Sequence, residues 1–182
     1  MKPNLCKFII LNTLVLFATG CMQHTAKRET STKLNDGQIV DILQTVNKLE
    51  ISTSDIALKK KGTLQLEAYA QYLIDQHEKK MDELKELAAR LNIKTEASPI
   101  SEKLSAERKE MVDSLGKLQG EAFDKAYIDA MVNSHEGGLH LLETMLIPET
   151  QNAQLRDFVV QFNEMVVHHL ERAKEVQKSL NS

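Results

Sequence analysis

The 182-residue chain contains no Trp, three Pro, seven Gly and two Cys, and its aromatic residues amount to 4%. So few aromatics, beside plentiful Leu, Ala, Glu and Lys, argue against a sheet and for helices. No alternating strand pattern and no internal repeat occurs along the sequence. The formal net charge is only −3, and no dense basic stripe is interleaved with aromatics, so nucleic acid is excluded as an expected partner. The length suits one domain with a proper core.

Long apolar runs are missing too, apart from "FIILNTLVLFATG" after Lys2 and Lys7. A short positive segment, a hydrophobic run too short for a comfortable membrane helix, and small residues before Cys21 predict a secretory signal over residues 1–20. "FATGC" resembles a bacterial lipobox, which implies lipidation of Cys21. A plain signal peptide or an uncleaved anchor is the alternative. If Cys6 leaves with the signal and Cys21 is acylated, no thiol remains for a disulfide, a thiolate zinc site or a nucleophile. Loss of Lys2 and Lys7 moves the net charge from −3 to −5. Met22 rather than Asp follows the cysteine; by analogy with Gram-negative lipoproteins, this predicts an outer-membrane anchor facing the periplasm. Residues 21–35 then read as a lipidated cysteine and a polar tether, with His24 a solvated residue on it.

Helical periodicity starts after Asn35-Asp36, a good cap pair. One stripe runs through Ile39, Ile42, Leu43, Val46, Leu49 and Ala57 and closes at Gly62. A second runs from about 63 to 91 through Leu66, Tyr69, Leu73, Leu84 and Leu87 and is broken by Pro99. A short helix over about 103 to 118 crosses over. Long helices follow over about 121 to 147, stopping at Pro148, and about 152 to 179. Four long amphipathic helices in two hairpins, joined by a crossover long enough to return along the bundle, predict an all-α, ferritin-like four-helix bundle over residues 36–180. Up-down-up-down connectivity is the alternative.

Each long helix carries an ionisable residue at the centre of its apolar stripe, counted at about 100° per residue. These are Glu50, His77, His135 and His169. His140 and His168 project to polar or boundary faces. "SHEGGLH" resembles the zinc-protease His-Glu-x-x-His signature with one residue too many; Leu139 stands where the second histidine belongs, so His135 and His140 diverge by about 140° on a regular helix. Levels along the four rods differ by roughly 5–6 Å at 1.5 Å rise per residue.

One carboxylate and three imidazoles suit one transition metal ion such as zinc, iron or copper. A buried Glu–His hydrogen-bond network is the competing reading, because an unpaired buried carboxylate costs several kcal/mol. Glu143, at the edge of the fourth stripe, is a candidate additional ligand. Met81, Met131 and Met165 each lie four residues from a histidine on the same face; thioether with imidazole suits copper(I), and Met is also ordinary core filling. Di-iron bundles place a Glu three residues before a ligating His. Here those positions hold Ile74, Val132 and Val166, which disfavours a di-iron redox enzyme.

From about Asp36 to Leu180 the chain resembles the bacterial family called domain of unknown function 4142. The residues that carry the resemblance are "LE" at Glu50, "YAQYLIDQHEKKMDEL" around His77, "GEAFDKAYIDAMVNSHEGGLHLLE" around Asp124, Tyr127, His135 and Glu143, and "HHLERAKEV" around His169. Gln76 stands where many members have an Asp, and the last block lacks the usual upstream Leu-Pro. The resemblance implies a ferritin-like bundle and an envelope location, without an activity. The expected function is an anchored, periplasm-facing bundle lipoprotein that binds a transition metal in its core, with enzymatic activity left open. A non-enzymatic structural or interaction module of the envelope is the alternative and a metal-dependent redox enzyme a more distant one, with protein partners left open.

Overall fold

The structure, a computed structural model, describes residues 33–181. Cys21 and the expected signal and tether lie outside them. The described residues are all-helical and contain no strand. No helix among them is long and apolar enough to cross a membrane.

Local capping chemistry sets the boundaries. Helix α1, Asp36–Lys60, starts from a reciprocal box in which Asn35 accepts from the Gln38 N–H and the Gln38 side chain accepts from the Asn35 N–H. It ends on Lys61 in the left-handed region, φ 53°. Helix α2, Leu64–Arg90, is capped by Thr63. Helix α3 is Pro99–Gly116, with Ser98 as cap and Pro99 in the first turn. Pro99 therefore opens α3, where the sequence reading took it as a breaker and started the helix at about 103. A first-turn proline loses no intrahelical hydrogen bond, which reconciles both observations.

Helix α4 spans Gly120–Leu141 and widens into a π turn over Leu142–Leu146, after which α5 is one short turn, Ile147–Glu149. The Ile147 N–H bonds back to the Leu142 carbonyl, five residues earlier. Pro148 would press its ring on the carbonyl four residues back in a regular helix, and the wider turn lies just before it. Helix α6 completes the fold over Ala153–Leu180, capped by Asn152.

Helices α1 and α2 form one hairpin, α4 and α6 the other, and α2 packs on α6. Helix α3 lies along α1 in the same direction. At its start the Ser98 N–H bonds to Asp41, and past its end Lys60 donates to the Gly116 and Leu118 carbonyls. The crossover thus returns along the bundle, as its length predicts. Helix α4 then starts beside the end of α1, where the Thr63 N–H bonds to Asp124, and α6 starts beside the beginning of α1.

The interior divides into two apolar clusters. One gathers Ile39, Ile42, Leu43, Leu84, Leu142, Leu146 and Phe162. The other gathers Leu66, Tyr69, Leu73, Phe123, Tyr127 and Met131. Fully burying each such side chain contributes about 1.5–3 kcal/mol. Along every long helix the chain passes from one cluster to the other, and the residues at the crossing points are Glu50, His77, His135 and His169. The polar layer is therefore a consequence of stripe registration between two greasy ends.

Candidate metal centre

Those four residues are all buried, with exposures of 4%, 1%, 3% and 0% in chain order. The three histidines each offer a ring nitrogen, and these atoms lie within 4.8 Å of one another. The ligand nitrogens of a tetrahedral centre with bonds of about 2.0–2.1 Å sit about 3.3 Å apart. The nitrogens would draw together by up to about 1.5 Å to reach that spacing. The offsets along the rods, estimated from sequence at a full helical turn, are absorbed by helix placement.

Hydrogen bonds fix the tautomers of two rings. His135 Nδ1 lies 2.7 Å from the Met131 carbonyl, which can only accept, so Nδ1 carries the proton. His77 Nδ1 lies 3.0 Å from Asn47 Oδ1. The Asn47 amide is itself oriented by donating from Nδ2 to the Leu43 carbonyl at 2.8 Å, so its oxygen faces the ring and again Nδ1 is the donor. In both rings the Nε2 lone pair is left available. Neither Nε2 has a hydrogen-bond partner among the described residues, and neither nitrogen of His169 has one. His169 is held instead by packing: its ring centroid is 5.0 Å from that of His77, 5.5 Å from that of His135 and 5.3 Å from that of Tyr72. The Tyr69 hydroxyl also donates to its backbone carbonyl at 3.2 Å.

Glu50 is differently engaged. Arg108 reaches in from α3, forming an ion pair through Nη2 with Glu50 Oε1 and donating through Nη1 to the Thr53 hydroxyl at 3.1 Å. Glu50 Oε2 has no partner among the described residues. The Glu–His hydrogen-bond network left open by the sequence is thus replaced by a Glu–Arg pair, because a guanidinium offers a charged donor where a neutral imidazole does not.

Burial by itself would raise the Glu50 carboxyl; the Arg108 guanidinium, with His135 and His77 behind it, overrides this and holds it at about 2. Burial lowers His77 to about 4 against the pull of Glu50, and lowers His169 to about 2, helped by the two neighbouring imidazoles. Both rings are therefore neutral at pH 7, the form a metal requires.

The remaining sequence candidates fall elsewhere. Glu143 is exposed on the π turn and does not join the cluster of buried nitrogens. His140 and His168 are exposed, and His168 faces Glu171 at 3.3 Å. Met81, Met131 and Met165 are buried among core residues. Two residues of the site were missed. Arg108 interrupts the spacing Ile100, Leu104, Met111, Leu115 on α3, and Asn47 precedes Glu50 by one turn; both were visible as polar residues on apolar stripes.

A family profile described as "Domain of unknown function (DUF4142)" matches residues 21–176. The chain belongs to this family. The DUF4142 match takes in Cys21, all of α1 to α5, and α6 as far as Val176. All four core residues and Arg108 therefore lie inside it. No curated protein and no solved structure matches the chain.

Proposed function

We propose that the protein is an envelope-anchored, periplasm-facing lipoprotein whose bundle binds one divalent transition metal ion through His77, His135 and His169, with Glu50 as the adjacent negative charge. Acylated Cys21 is the anchor in this reading. The observation that carries the metal assignment is the convergence of three buried imidazoles, two with their Nε2 lone pairs fixed as free acceptors. Acceptors facing one another in a dry interior are costly unless a cation or donors meet them. Three imidazole nitrogens suit zinc, copper or iron, and no proton need be displaced from His77 or His169 at neutral pH.

Metal analysis of protein purified without an affinity tag tests the assignment. One equivalent of metal is expected in the native chain, falling to background in His77→Ala and His135→Ala, a loss of at least about 100-fold in affinity. A metal-free protein that gains no thermal stability from zinc, copper or iron overturns it and leaves a structural module of the envelope. Palmitate labelling, expected to vanish in Cys21→Ser, tests the anchor separately.

A further inference from the structure

Beside the imidazoles lies a cavity of about 40 Å³. Glu50, His77 and His135 form one part of its wall, and Leu43, Leu146 and Phe162 much of the rest. The atoms without partners in that wall are Glu50 Oε2, His77 Nε2 and His135 Nε2. The Ser134 hydroxyl, also in the wall, is spent on the Met131 carbonyl at 3.2 Å. One water needs about 10–15 Å³ by this measure, so the space fits about three non-hydrogen atoms.

Gly138, one turn beyond His135, also lines the cavity, and a Cβ placed on it would meet no atom within 4 Å. Among the described residues, no close approach of another segment requires a glycine there. A glycine inside a long helix weakens it relative to alanine, and at this position the missing side chain leaves the space beside the cavity open. Leu142 and Leu146, at the two ends of the π turn, complete this side of the wall.

Metal sites held by four protein ligands are closed, whereas sites with three keep a position for an outside molecule. Glu50 does not close this one: the nitrogens that converge are those of the three histidines, and the carboxylate is turned through Oε1 to Arg108 of α3. We propose that the metal centre keeps an open coordination position facing the Gly138 cavity, and that this position binds a small donor ligand of two or three non-hydrogen atoms, anionic or diatomic. This rests on the three-histidine metal reading. The ligand donates a lone pair to the metal in place of water, and Glu50 Oε2 accepts a hydrogen bond when the ligand carries a proton.

The test uses the full chain loaded with cobalt(II), with sodium azide as the probe. Bound cobalt is counted by metal analysis, and azide binding is followed by the visible d–d and charge-transfer bands. Saturable one-to-one changes are expected for the native protein. Gly138→Leu should keep one equivalent of cobalt and bind azide at least about tenfold more weakly, with Gly138→Ala between the two. Cobalt bound at one equivalent with a spectrum indifferent to azide overturns the open position and leaves the metal reading standing. An azide response unchanged in Gly138→Leu overturns the cavity as its route. Absence of stoichiometric cobalt overturns both readings, and the metal count distinguishes that failure from the others.

Discussion

The ends of the bundle and its middle use the same kinds of acceptor in opposite ways. At the ends, carboxylates are spent on backbone donors. Asp36 receives the N–H groups of Gln151 at 2.8 Å and Asn152 at 3.0 Å. Glu149 receives that of Leu34 at 2.6 Å, and Asp124 that of Thr63 at 3.0 Å. Each bond ties one loop to a neighbouring helix. In the middle, three imidazoles and one carboxylate oxygen face inward with no donor among the described residues. Asp124 Oδ1 also lacks a partner among the described residues. Each of these end carboxylates nonetheless keeps at least one backbone donor that ties its rod in place, whereas the central acceptors have none.

The contrast breaks most sharply at Arg108. Arg108→Met leaves Glu50 buried and unpaired and should cost the metal-free protein about 3–5 kcal/mol in urea denaturation. Adding Glu50→Gln should restore most of that loss; a double variant as unstable as the single one would mean that Arg108 acts through packing alone. Asn47→Ala comes next. It removes the acceptor that sets the His77 tautomer, and metal affinity should fall about 10–100-fold by competition titration while Glu50 and the other two rings stay in place.

Asp124→Ala attacks an end instead. Loss of the Thr63 contact should cost about 1–3 kcal/mol in stability and leave metal affinity unchanged. Equal effects on both readouts would erase the division between ends and middle.

The most gradual effect is pH dependence in the metal-free protein. His77 and His169 have folded values below the usual 6.5, at about 4 and about 2, so the unfolded chain takes up protons first. Their contribution is present above about pH 6.5 and is lost as pH falls towards the folded values. The slope is about 1.4 kcal/mol per pH unit for each proton. Glu50, lowered from 4.5 to about 2, adds a loss only below about pH 4.5. Denaturation midpoints at pH 7.5, 5.5 and 4 check the order: a flat response down to pH 5 would contradict neutral, buried rings.

Much of this was legible because a helix repeats. Stripe counting located Glu50, His77, His135 and His169, and their burial follows from positions that the apolar pattern dictates. It also separated His135 from His140 within one heptapeptide. Arg108 escaped because the segment over about 103 to 118 read only as a short crossover helix, although its partial stripe of Ile100, Leu104, Met111 and Leu115 packs against the bundle. The π turn left no periodic signal before Pro148. Whether an imidazole meets a carboxylate or a guanidinium depends on which neighbouring rod supplies the donor, and spacing along one rod contains no such information.

Helix α3 joins the two hairpins from outside their four walls, yet it supplies the cation that neutralises Glu50. The connector is thus also a component of the inner chemistry. The balancing cation and the four walls are encoded in separate stretches of the chain, so the cation can be exchanged in the laboratory without touching the wall sequences.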